Sequence, residues 1–140
     1  MHYQSFNQLP KDAFDIRIEV FVNEQGFTNE FDEHDTNSTH IVLYDNFNSA
    51  IGTCRYYYDV TQDTLILGRI AIRKKYRKFH YGFDLVSYAL ETIKALGYST
   101  VIISAQCQAL GFYEKLGFQK YGEIYLDEHC PHIQMKKVLR

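Results

Sequence analysis

The segment Leu65-Ile66-Leu67-Gly68-Arg69-Ile70-Ala71-Ile72 constrains this chain more than any other. Its alternating faces are both largely apolar, with Leu65 and Leu67 on one and Ile66, Ile70 and Ile72 on the other. A strand with one wet face alternates apolar with polar residues. A strand apolar on both faces has to be covered on both. The expectation is a central strand with helices above and below it. The decapeptide Arg73 to Gly82 follows and is strongly basic. Phe83, Val86, Ala89, Leu90 and Ile93 then recur at helical spacing, with Gly97 where a C-terminal cap belongs. Thr100 to Ser104 reads as the next strand. A strand–helix–strand unit of this kind, from Leu65 to Ser104, is expected to be a right-handed parallel crossover.

The remaining elements arrange themselves around that unit. Phe14, Ile18, Phe21 and Val22 predict a helix over Lys11 to Val22, with Pro10 near its start and Gly26 just past it. Tyr3 to Phe6, His40 to Tyr44 and Ala50 to Tyr58 read as strands, and Asn46 to Ser49 supplies a hairpin turn. Gln108 to Leu116 reads as a short helix ended by Gly117. Phe118 to Tyr125 and His132 to Val138 close the chain as strands. The fold class is α/β (α+β), with a mixed central sheet of about six to seven strands and helices on both faces. At 140 residues, 46% of them hydrophobic, one domain over 1–140 is expected.

Charge and cysteine usage narrow the function. The net charge of −2 argues against a nucleic-acid partner, which needs a positive surplus. Cys54, Cys107 and Cys130 are odd in number and include no CxxC pair, so a reducing cytoplasmic setting is expected. The amino-terminal residues lack a basic stretch followed by an apolar one, and no apolar run approaches membrane-spanning length. No membrane partner is expected.

The basic decapeptide opens a helix. Unpaired N–H groups and the helix dipole favour an anion there, and nearby Arg and Lys add attraction, an arrangement suited to a pyrophosphate. Taken alone, such a run more often means a solvated basic turn. Four stretches change that balance. They are Arg17-Ile18-Glu19-Val20-Phe21-Val22-Asn23-Glu24-Gln25, Gly68 to Ile72 leading into Tyr76-Arg77, Ala105-Gln106 with Phe112-Tyr113-Glu114-Lys115-Leu116-Gly117-Phe118, and Cys130-Pro131-His132 with Met135. In this order and spacing the chain resembles the GNAT acetyltransferases, and within them the small ElaA-like branch, over nearly its full length.

The resemblance implies acetyl transfer from acetyl-CoA to the amine of a small molecule or peptide, with no metal and with a homodimer allowed. It implies that Ile70, Ala71 and Ile72 hold the pantetheine arm through their backbone, and that the Ile72 N–H faces the thioester carbonyl. Arg77, Lys78, Phe79, His80, Tyr81 and Gly82 would form the coenzyme loop. The family's loop runs Arg or Gln, two residues, Gly, one residue, Gly or Ala. Here Arg77 and Gly82 fit, and His80 stands in place of the first Gly. That substitution either narrows the loop or brings an imidazole donor to a phosphate.

Tyr113 would be the general acid for the leaving thiolate. Read without the resemblance, it is a packed aromatic beside Leu110 and Phe112. The general base is drawn from Glu24, Glu30, Glu33, His34, His40, Glu128 and His132, with His132 the single choice. Glu24, Glu30 and Glu128 are the acceptor-binding candidates. The acidic stretch Glu30 to Asp35 either attracts a cationic amine or is simply a solvated face. Two other classes were weighed. A metal site at His129, Cys130 and His132 lacks a fourth ligand and convergent geometry. A non-catalytic acyl-CoA sensor on the same fold is kept open by His80.

Overall fold

Period-two apolar patterning becomes a seven-stranded sheet in the computed structural model, which describes all 140 residues. The strands are β1 (His2–Phe6), β2 (Thr39–Tyr44), β3 (Ala50–Asp59), β4 (Thr64–Ile72), β5 (Thr100–Gln106), β6 (Gln119–Asp127) and β7 (Cys130–Val138). Their order across the sheet is β1-β2-β3-β4-β5-β7-β6, which puts β4 at the centre. β4 and β5 are parallel and every other neighbouring pair is antiparallel. The helices are α1 (Lys11–Arg17), α2 (Tyr81–Ala95) and α3 (Leu110–Lys115).

Residues of opposite parity feed two cores. On the α2 side, Ile41 and Leu43 of β2, Leu65 and Leu67 of β4 and Ile103 of β5 meet Leu85, Val86, Ala89 and Ile93. On the α1 side, Val42, Tyr44, Ala50 and Ala71 meet Ala13, Ile16, Val20 and Phe21. The stripe predicted for α2 needs one correction. Phe83 is 42% exposed, and Leu85 takes its place in the core. Gly97, at φ +96°, caps the helix as expected, its N–H bonding the Lys94 carbonyl at 3.0 Å.

The first helix also differs from expectation. It does not end at Val22 but widens into a π-helical stretch, Ile18–Glu24, where Gln25 N–H reaches back five residues to the Val20 carbonyl at 3.1 Å. Stretches of this kind are rare in soluble folds and recur at functional sites. The wider turn delivers Gln25 and Phe27 to the sheet face while Val20 and Phe21 stay buried.

The acidic segment is not a solvated face. Arg17, 1% exposed, donates from Nε to Glu30 Oε2 at 2.8 Å and from Nη1 to Asp35 Oδ1 at 2.7 Å. Arg55 reaches Asp32 and Asp35, each at 2.7 Å, and Arg69 reaches Glu30 at 2.9 Å. Burial alone would raise the Asp35 carboxyl, but hydrogen bonds from Arg17 and Arg55 outweigh it and hold its pKa well below the usual range. Asp32 is lowered on the same balance, burial opposed by Arg55 and Arg69. At Glu30 burial exceeds the pull of Arg69 and Arg17, and the pKa is raised.

Removing one cation from this network strands the carboxylates. Arg17→Met should destabilise the fold by about 3–5 kcal/mol, the cost of breaking a buried pair from one side. Asp32 and Asp35 titrate lower in the folded than in the unfolded chain. Their contribution is therefore present above the ordinary aspartate range and lost as pH falls through the depressed folded values. Glu30 works in the opposite sense and offsets part of it. Urea unfolding midpoints should fall between pH 5 and pH 2, and Asp35→Asn should flatten that fall.

Candidate active site

The site begins at an irregularity in β4. Thr53 pairs with Ala71 and Arg55 with Gly68, so Cys54 alone stands opposite Arg69 and Ile70. The extra residue is accommodated by Arg69 at φ +50°, the left-handed region. Such a bulge bends its strand and reverses side-chain parity beyond it. Ile70 and Ile72 therefore join the cluster of Leu65 and Leu67, and Ala71 turns to the α1 side. The sequence reading had grouped Ile70 and Ile72 with Ile66, because simple alternation carries no bulge. Gly52 on β3 makes the bend possible, since a Cβ there would lie 2.7 Å from the Ala71 carbonyl oxygen.

The bend separates β4 from β5. Their parallel pairing covers only Leu65–Leu67 against Val101–Ile103. From Gly68 onward the β4 edge facing β5 has no strand partner, and two cavities occupy the gap. One, of about 740 Å³, is lined by Ile70, Ile72, the loop into α2 and the face of α3 carrying Phe112 and Tyr113. The other, of about 250 Å³, lies towards β7 and the π-helical turn. Ile70, Ala109 and Tyr113 line both.

The larger cavity holds most of the residues of the basic loop. Arg77, Lys78, His80, Tyr81 and Gly82 line it, joined by Lys115 of α3, whose part in the site sequence reasoning missed. Phe79 is 62% exposed and outside it, and Ala71 is buried beneath. Lys78 (φ +73°) and His80 (φ +63°) both adopt the left-handed conformation. His80 occupies the N-cap of α2 without a side-chain cap bond, so the first α2 amides stay open. Arg77 is fully engaged. Its Nε donates to the Ile72 carbonyl at 3.0 Å and its Nη2 to Glu24 Oε1 at 2.8 Å. Glu24, its carboxyl lowered chiefly by that hydrogen bond, thus braces the loop and lines neither cavity.

The smaller cavity gathers Gln25, Glu30, Arg69, Gln106, Asp127, Glu128 and His132. His132 is 5% exposed, and its Nδ1 lies 2.8 Å from the Cys130 carbonyl oxygen. A carbonyl only accepts, so Nδ1 donates to it, which leaves Nε2 as the nitrogen that faces no protein partner. The Glu128 carboxylate accepts from Thr28 N–H, Thr28 Oγ1 and Asn29 N–H, each at 2.9 Å. These bonds lower its pKa, the Asn29 amide most of all. Glu128 therefore stitches the β6–β7 turn to the loop after the π-helical stretch.

The other base candidates lie elsewhere. His40 is buried against the Asp35 carbonyl, His34 stacks on Tyr57 and Glu33 is exposed. Asp127 had no sequence signal; the β6–β7 pairing of Asp127 with Cys130 brings it to the cavity, as the β5–β7 pairing of Gln106 with His132 brings Gln106. Tyr113 is held edge-to-face by Phe112 and Phe118. Burial, helped by nearby Cys54, raises its phenol pKa strongly, so the hydroxyl stays protonated at neutral pH.

Comparison with known proteins agrees with this geometry. A family model described as an acetyltransferase (GNAT) domain matches residues 9–139. A Bacillus subtilis protein named as an acetyltransferase is 41% identical over 130 residues, covering 89% of this chain and 86% of that one. The crystal structure of a Lactobacillus plantarum protein named as an N-acetyltransferase superposes with a TM-score of 0.87 at 26% identity, covering 100% of both chains. Escherichia coli ElaA superposes with a TM-score of 0.85 at 24% identity, covering 97% of this chain and 98% of that one.

The left-handed geometry at His80 gives a stability prediction. A non-glycine residue there costs roughly 1–2 kcal/mol, while glycine brings back roughly 0.5–1 kcal/mol of chain entropy. His80→Gly should leave the urea midpoint unchanged or slightly higher. His80→Val, β-branched, should lower the midpoint, with a loss of more than about 1 kcal/mol in unfolding free energy.

Proposed function

The chain belongs to the GNAT acetyltransferase family and is an acetyl-CoA-dependent N-acetyltransferase, and from this we propose that the larger cavity takes the coenzyme and the smaller one the acceptor amine. The observation that carries this reading is the common wall. Tyr113 and Ile70 line both cavities, so a thioester and an amine placed in them would meet beside the Tyr113 phenol.

The coenzyme's phosphates lie at the open amides of α2, between Lys78 and Lys115, with His80 beside them. Arg77 acts from behind, fixing the loop through the Ile72 carbonyl and Glu24. The pantetheine arm runs along the free edge of β4 past Ile72 and Ile70. The acceptor is the primary amine of a small molecule or peptide.

His132 Nε2 takes a proton from the ammonium form, directly or through water. The neutral nitrogen attacks the thioester carbon and an N–C bond forms. The carbonyl oxygen gains negative charge, which the backbone N–H of Ile72 stabilises. The C–S bond then breaks, Tyr113 gives its proton to the departing sulfur, and the second proton on the new amide nitrogen passes through water to the Tyr113 phenolate, restoring the phenol. The phenol is protonated at neutral pH and so has a proton to give, while burial, which raises its pKa, makes that proton harder to release.

Acetyl-CoA should raise the melting temperature, since binding only the folded state stabilises it by about 2.7 kcal/mol at a hundredfold excess over Kd. Lys78→Glu with Lys115→Glu should abolish most of that shift. Tyr113→Phe keeps the ring packing and should retain coenzyme binding. It should lower kcat and kcat/KM together by ~10²–10⁴-fold in steady-state assays. A kcat within about twofold of the unaltered protein would make Tyr113 a packing residue. Coenzyme binding with no transfer to any amine would instead favour the sensor reading.

A further inference from the structure

The charges around the smaller cavity point to a particular class of amine. Its only cationic lining side chain, apart from the ionisable His132, is Arg69. That guanidinium is already engaged, with Nε 2.9 Å from Glu30 Oε2, Nη2 3.3 Å from Asp32 Oδ2, and both nitrogens donating to the Glu30 carbonyl. Glu30 and Arg69 cancel, which leaves Asp127 and Glu128 uncompensated. Glu128 accepts only neutral donors, so it keeps its charge. Asp127 ends β6, pairs with Cys130 across the turn, and has neither a hydrogen bond nor an ion pair of its own.

A second observation is independent of these carboxylates. His132 is 95% removed from solvent by its 5% exposure, yet only its Nδ1 has a partner. Its Nε2, in a ring that lines the cavity, calls for a hydrogen-bond partner. The cavity thus offers an unpartnered ring nitrogen on its wall and a free carboxylate at its rim, with no free cation to receive an anionic group. Its volume of about 250 Å³ equals roughly eight water-sized groups at ~30 Å³ each, the size of a short aliphatic chain.

We propose that the acceptor is a short aliphatic diamine or the end of a polyamine, with one nitrogen presented to His132 and the second, cationic nitrogen held by Asp127. The inference rests on the reading of this cavity as the acceptor site. An amine bearing a carboxylate at the far end would meet Asp127 and Glu128 with repulsion. An amine with an uncharged tail would gain nothing from them.

The test uses three acceptors of one chain length: 1,4-diaminobutane, 1-aminobutane and 4-aminobutanoate. The diamine should show the highest kcat/KM, about three- to tenfold above the monoamine, with 4-aminobutanoate lowest. The diamine advantage should shrink as salt is raised. Asp127→Asn should bring the diamine-to-monoamine ratio close to one, and Asp127→Lys should favour 4-aminobutanoate. Equal kcat/KM for all three, or a ratio unmoved by Asp127→Asn, overturns the proposal while leaving acetyl transfer intact. If none of the three is acetylated although acetyl-CoA binds, the catalytic reading is what fails for these amines. Calorimetric titration of the same ligands into the coenzyme A complex then decides. Tighter binding of the diamine that disappears in Asp127→Asn upholds the inference, and its absence overturns it.

Discussion

The bulge at Arg69 and Ile70 is the constraint on which the rest of this molecule depends. One extra residue in β4 bends the strand, and the bend ends its pairing with β5 after three residue pairs. A central strand normally has both edges satisfied. Here one edge is left open in mid-sheet, a position otherwise avoided because unpaired N–H and C=O groups need partners. The opening becomes the floor of both cavities. The same residue reverses side-chain parity, so Ile70 and Ile72 pack with the α2 core and also line the groove.

Arg69 costs conformational energy to hold at positive φ, and the chain surrounds it with partners that hold it there. Its guanidinium binds the Glu30 carbonyl and carboxylate, and Arg17 and Arg55 extend the network to Asp32 and Asp35. The loop that walls the smaller cavity is therefore pinned to the strand that forms the floor. Two further pairs, Glu19 with Arg73 and Glu24 with Arg77, tie the first helix to the segment after β4. These outer pairs are partly exposed and contribute little stability individually. Their effect is geometric: the basic loop before α2 and the π-helical turn share fixed points.

Much of the fold was legible because its signals are local and periodic. Leu65 to Ile72 announced a covered central strand, and the α2 stripe with Gly97 announced the crossover helix. The basic run was legible as the segment that enters α2 for the same reason. Features created by tertiary placement were not. The bulge has no sequence mark that distinguishes Arg69 from an ordinary strand residue. The burial of Glu30 and Asp35 depends on Arg17, 13 residues from the one and 18 from the other. Composition suggests solvent for such acids unless the partners are known. Asp127 and Lys115 enter their cavities through strand register and helix rotation, which no spacing rule supplies.

The stitch formed by Glu128 joins residues about a hundred positions apart, and this gives the two halves of the site different histories as the chain folds. The larger cavity is assembled from residues 70–115, a compact run around one strand–helix–strand unit. The smaller cavity needs residues 21–30 and 127–132 at once. Long-range closure is entropically costly and comes late. A growing chain therefore has the residues of the larger cavity before those that complete the smaller one. In the finished protein the walls of the smaller cavity depend on the Glu128 stitch, and those of the larger one do not.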